Sequence, residues 1–199
     1  MKTASVIINA VMFLTTFIIV VSFFRKDGAW QIQRGLKAFR YFTVLSNVFC
    51  AITALYMAIC QAFDRVTPAT IFLKYLGTVS VTVTLLTVFL FLGPSQGGYG
   101  DLLHGENLYM HLIGPLLAIL SFCLAEKQKM SLNTALTGVG PVLLYGAVYL
   151  YKVVFAPEES RWEDFYGFNK GGKWLISLSA MIAGTLVVCV IFWGICRAG

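Results

Sequence analysis

The chain has 199 residues, of which 58% are apolar, 15% aromatic and only 12% charged, and its mean hydropathy is +0.79. A soluble domain carries about 25% charged and about 45–50% apolar residues, so much of the charge that a water-facing surface needs is missing. This excludes an ordinary soluble enzyme, a disordered tail and a small secreted scaffold; the apolar excess must face lipid. The net charge of +6 does not signal nucleic acid, because the basic residues hug the ends of apolar runs, where they meet headgroups or set orientation.

Apolar runs cover residues 5–24, 42–61, 71–92, 108–125, 132–154 and 174–196. Each has the roughly 18–25 residues that cross about 30 Å at 1.5 Å per residue. The expectation is an all-α bundle: one six-span transmembrane domain over 1–199, multi-pass, in the cytoplasmic membrane if the source is prokaryotic. Membrane β-strands would alternate apolar and polar residues over about 10 positions, and nothing here does. No internal repeat suggests the inverted halves of a transporter.

Lys2 precedes the first run, as in a signal peptide. The run is long, however, and the Val-Ser-Phe-Phe-Arg that follows offers no small-x-small cleavage site, so a retained span is expected. Six spans put both termini on one side, face B, with the short connections near Asp64–Pro68 and Glu126–Met130. The opposite side, face A, carries the longer loops 25–41, 93–107 and 155–173. Of the Lys and Arg residues, about nine fall to face A and about six to face B. The first loop alone, with Arg25, Lys26, Arg34, Lys37 and Arg40, would put face A in the cytoplasm. In the same loop Ile32, Leu36 and Phe39 recur at helical spacing between basic residues, which suits a short helix in the membrane interface.

The second span opens with Thr43, Ser46, Asn47 and Cys50 at i, i+3, i+4, i+7, one polar stripe on one helix face. One reading is glue between helices, with hydroxyls bonded to the preceding turn and Asn47 to a neighbour. In the third span Thr78, Ser80, Thr82, Thr84 and Thr87 scatter around the helix and read as packing. The glycine-rich loop GPSQGGYGDLLHGEN follows; its Asp101, His104 and Glu106 form a solvated triplet with no second cluster to complete a ligand set, so no metal and no cofactor are expected.

The fourth span holds His111, the only histidine inside an apolar run, with Asn107 one turn before it and Pro115 one turn after. Proline cannot donate to the carbonyl four residues back, which is that of His111, so the helix should kink or open there. An ionisable group in a membrane span calls for a functional reading. In the fifth span Tyr145, Tyr149 and Lys152 descend one face towards face A, and Pro141 marks a second kink. Trp30, Tyr41, Tyr99, Trp162, Tyr166 and Trp174 also gather at face A, partly as an aromatic belt. Long connections and aromatics together place function at that face. The five cysteines all lie in apolar runs and read as small buried hydrophobes.

Thr43 and His111 both follow a span start on face A and so lie at similar depth, within about 5 Å of the hydrocarbon edge. A hydroxyl and an imidazole that meet form the first half of a nucleophile–base pair. An ester-linked lipid would place its carbonyl at this boundary. Asn47, Ser46, Asn107, Tyr145 and Tyr149 are the candidates for substrate contact or for donation to the oxyanion, and Asn107 or a backbone carbonyl for orienting His111. The rival readings are a non-catalytic lipid-binding or small-molecule transport protein whose stripe lines a cavity, and a structural subunit whose stripe meets a partner helix.

The segments YFTVLSN (41–47) and NLYMHLIGP (107–115) resemble the androgen-induced (FAR-17a-type) six-span membrane proteins and their prokaryotic relatives. The resemblance covers nearly the whole chain: six spans, a Thr opening span two, a His opening span four, and an aromatic–glycine segment before span six, here WEDFYGFNKGGKW (162–174). That segment lacks the proline of the Tyr-Pro-aromatic stretch usual in the family. Characterised animal members are threonine hydrolases of fatty acid esters of hydroxy fatty acids. The resemblance thus implies Thr43 as nucleophile, His111 as general base and a membrane lipid or lipid-like ester as substrate. Prokaryotic-looking members need not share that substrate. A related six-span group is similar to acyltransferases with a cysteine nucleophile, for which Cys50, two turns below Thr43, is a poor match.

Overall fold

The computed structural model describes residues 2–198. Six helices are long and apolar enough to cross a membrane: α1 (Lys2–Phe23), α3 (Phe42–Ala62), α4 (Pro68–Gln96), α5 (Glu106–Glu126), α6 (Leu132–Phe155) and α7 (Trp174–Arg197). The first loop holds the expected short helix, α2 (Ile32–Ala38), with Ile32 and Leu36 exposed. Before it, a two-residue ribbon pairs β1 (Arg25–Lys26) with β2 (Ala29–Trp30). The architecture is the all-α six-span bundle that the apolar runs predict. In hydrocarbon a lone helix satisfies its own backbone, which is why each run takes this form.

The helix ends follow local chemistry. Thr67 caps α4 in a reciprocal box with Thr70, and Pro68 fills the first helical position, where no N–H is needed. At the other end α4 continues past residue 92 to Gln96, through Pro94. It does so because a π-helical turn, Val88–Leu92, precedes the Gly93–Pro94 step and absorbs the missing donor. The opening expected before Pro115 takes the same form, a π-turn over Tyr109–Ile113 that contains His111. Before Gly140–Pro141 the helix tightens into a 3₁₀ turn, Thr137–Val139.

Helices α3 and α4 are the most buried of the six. They approach closely at Gly77, where a Cβ would lie 3.0 Å from the Cα of Cys50 and 2.5 Å from the Thr53 hydroxyl, so no larger residue fits. In the face B half, the rings of Tyr75, Phe122 and Phe192 pack with centroids 5.8–6.1 Å apart, and the Tyr75 hydroxyl donates to the Ala135 carbonyl at 2.7 Å. All five cysteines are free thiols.

The same half contains a polar network with a charge at its centre. Lys74 is wholly buried; its Nζ donates to Asn9 Oδ1 at 2.6 Å and lies 3.8 Å from Glu126 Oε2. Glu126 Oε1 accepts from Ser5 at 2.6 Å, Asn9 at 2.5 Å and Ser121 at 2.7 Å. Gln61 joins through Ser5 at 3.0 Å. Four helices, α1, α3, α4 and α5, are tied at one level. In the sequence Lys74 lies inside the third apolar run and Glu126 opens the short connection Glu126–Met130. The structure draws both inside, because neither lipid nor a short turn can compensate an ammonium buried in span three.

Lys74→Met should therefore leave Glu126 buried without its counter-charge and cost about 3–5 kcal/mol. Lys74→Met/Glu126→Gln should recover much of that loss. Thermal unfolding midpoints of the purified protein in detergent measure both; a double variant no more stable than the single would refute the pairing.

Candidate active site beside Thr43

Thr43 is the second residue of α3, and His111 sits on the π-turn of α5. The Thr43 Oγ1 lies 3.3 Å from His111 Nε2, at the long end of the range, as resting nucleophile–base pairs commonly are. On the far side of the ring, His111 Nδ1 is 2.7 Å from the carbonyl oxygen of Leu102. A carbonyl only accepts, so Nδ1 carries the proton and the neutral ring turns its Nε2 lone pair to Thr43. This is the tautomer that a general base requires. Leu102 belongs to a 3₁₀ turn, Asp101–Leu103, in the glycine-rich loop.

The other candidates hold this pair in place. Both N–H groups of Asn47 are committed, to the Thr43 carbonyl at 2.8 Å and the Met110 carbonyl at 2.9 Å. Asn47 thus clamps α3 to α5 at the level of the pair, and neither donor is left for an oxyanion. Ser46 bonds the Thr43 carbonyl at 3.1 Å and the Thr84 hydroxyl at 2.8 Å, joining α3 to α4. Asn107 is exposed and donates to the Asp101 carbonyl at 3.0 Å. It fixes the loop that carries Leu102 and does not touch His111. Glu106 accepts from Ser22 at 2.5 Å.

Tyr145 and Tyr149 face the site but spend their protons elsewhere, on the Arg40 carbonyl at 2.8 Å and on Asp164 Oδ1 at 3.0 Å. Asp164 also accepts from the backbone of Phe168 and Asn169, each at 2.7 Å, and the Tyr149 hydroxyl accepts from Tyr166 N at 3.2 Å. These bonds fold loop 155–173 over the end of α3 and bring in Tyr166. Its hydroxyl accepts from Phe42 N at 2.9 Å and keeps its own hydrogen. Burial pushes the Tyr166 phenol up, against the smaller opposing effect of the Phe42 N–H, so it stays protonated and able to donate.

In front of Thr43 a cavity of about 240 Å³ runs between α4, α6 and α7. Its walls are ordered by depth. Thr43, Leu92, Tyr149 and Ser177 line the face A end, beneath Tyr166 and Phe168, whereas Val83, Val142 and Val188 line the deep end. On α7 the lining residues Ser177, Met181, Gly184 and Val188 form one stripe, and that wall is about 16 Å long at 1.5 Å per residue. His111 is not part of the lining; it stands behind Thr43 and is buried.

No protein-family model, curated protein sequence or solved structure matches this chain. The reading of the site accordingly rests on its own chemistry.

Of the two orienting groups the sequence offers for His111, Asn107 and a backbone carbonyl, the structure has the carbonyl, and only the fold shows that it is that of Leu102. Tyr166 stands in the sequence as one more aromatic of face A, and only the folded loop distinguishes it. Asn47→Ala should lower stability by about 1–3 kcal/mol, because it removes the clamp between α3 and α5 and the side-chain donor to the buried Met110 carbonyl. Asn107→Ala, at an exposed position, should cost under about 1 kcal/mol. Unfolding midpoints of the two variants check the difference.

Proposed function

We propose that this protein is an intramembrane lipid-ester hydrolase that works through an acyl-threonine intermediate. The observation that carries the reading is the aligned series of Leu102 carbonyl, His111 ring and Thr43 hydroxyl, with the cavity opening in front of the hydroxyl. Thr43 Oγ attacks the ester carbonyl carbon while His111 Nε2 takes its proton, and the carbonyl electron pair moves onto oxygen. Collapse breaks the bond to the alkoxy oxygen, which leaves with the proton from His111. Water then attacks the acyl-threonine, His111 again accepts the proton, and its return to Thr43 frees the acid. The Leu102 carbonyl takes the orienting place that a carboxylate holds in other triads.

Tyr166 is the donor in this scheme for the oxygen that becomes negative. Asn47, Tyr145 and Tyr149 have committed their hydrogens, whereas the Tyr166 hydroxyl accepts one bond and retains its own proton beside Thr43. An apolar cavity at the hydrocarbon edge suits an ester delivered by the bilayer. Within that class, the resemblance to the androgen-induced proteins points to fatty acid esters of hydroxy fatty acids. A non-catalytic lipid carrier would use the same cavity but has no need of an oriented base behind a hydroxyl.

A fluorophosphonate probe should label the purified protein. Labelling should disappear in Thr43→Ala, fall about 10²–10⁴-fold in His111→Ala and persist in Thr43→Ser. Tyr166→Phe should lower the rate of ester hydrolysis about 10²–10³-fold. Labelling of Thr43→Ala at the wild-type rate would overturn the assignment.

A further inference from the structure

The cavity also has a direction. Its polar end, at Thr43 and Tyr166, is on face A, and below that point it follows α4, α6 and α7 towards the middle of the membrane. Along the α7 stripe it is about 16 Å long at 1.5 Å per residue, so the space is elongated along the membrane normal. An apolar space of this length matches a hydrocarbon chain in extended form.

One residue of the wall stands out. Gly184 lies at the centre of the α7 stripe, two turns below Ser177, and is exposed. A Cβ built there meets nothing within 4 Å. Ala180, one turn above, is likewise small and exposed. The groove is therefore open to the bilayer on this side, past two of the smallest side chains. Helix geometry does not explain the glycine, since glycine inside a helix is unfavourable by about 1 kcal/mol relative to alanine.

Building on the hydrolase reading, we propose that the groove seats a single unbranched acyl chain along the membrane normal, carbonyl at Thr43, and that Gly184 sets how long a chain it accepts. An extended chain advances about 1.2 Å per bond, so the groove takes about a dozen carbons. The chain enters sideways from the bilayer past Ala180 and Gly184. The preferred substrates are esters of one linear, long-chain acid.

The test uses purified full-length protein and p-nitrophenyl esters of linear acids with about 4, 8, 12 and 16 carbons. Wild type should prefer the ester of about 12 carbons, the length that the groove holds. Gly184→Leu replaces a poor helix former by a good one and fills open space, so the variant should fold. It should lose at least about 10-fold in kcat/KM on the longest esters while the shortest change less than about twofold. Gly194→Leu, on the same helix but outside the groove, should leave the profile unchanged. Wild-type activity with an unaltered profile in Gly184→Leu overturns the groove assignment and leaves the hydrolase standing. Retention of dodecanoic acid by the protein, read by native mass spectrometry, is the independent measurement. If no ester is hydrolysed but retention is lost in Gly184→Leu and not in Gly194→Leu, the catalytic reading fails and the groove remains. Equal retention in all three overturns the groove.

Discussion

The Lys74 ammonium is buried inside the bundle, and in a bilayer only protein can compensate it. Its partners arrive from three other helices: Asn9 from α1, Glu126 from α5, and through Ser5 also Gln61 of α3. Between helices in hydrocarbon the hydrophobic effect offers little preference, so close packing and hydrogen bonds decide which faces meet and at what level. A charge that must be matched is the strictest of these conditions. Fixing Gln61 and Glu126 at one level near face B also fixes what stands opposite at face A, because helices are nearly rigid rods with a set rise. Thr43 and His111 are what stands there.

At face A the register is closed a second time by Asn47, whose amide bridges the carbonyls of Thr43 and Met110. The π-turn before Pro115 contributes its own effect. It places His111 where one ring nitrogen reaches the loop carbonyl of Leu102 and the other faces Thr43. A proline that would be a defect in a straight helix here sets the aim of the imidazole. The site is thereby two-sided: buried polar groups orient the ring from behind, and an apolar groove lies in front of the hydroxyl. In the proposed reaction that division keeps the base away from lipid and the substrate away from the base's own hydrogen bonds.

Much of this is legible in the sequence, for identifiable reasons. Six spans follow from continuous apolar runs, because crossing a bilayer leaves a chain few alternatives. The matched depth of Thr43 and His111 follows from counting residues from span starts, since helical rise is constant. The loop helix over Ile32–Ala38 follows from its spacing of apolar and basic residues. By contrast, the commitments of Asn47, Tyr145 and Tyr149 are not legible. Each is a donor that could serve an oxyanion, and only the positions of the carbonyls and of Asp164 show that their hydrogens are spent. The pairing of Lys74 with Glu126 is not legible either, because their separation along the chain hides that they share a level.

By itself the sequence determined the class of protein, the number of helices and the depth of the scarce polar residues, since composition and helical rise are local properties. The tertiary structure alone decided which polar groups face one another, which nitrogen of His111 carries the proton and where an apolar space opens beside Thr43. Those depend on rotation and register between helices, and in lipid these are set by contacts between residues far apart in the chain.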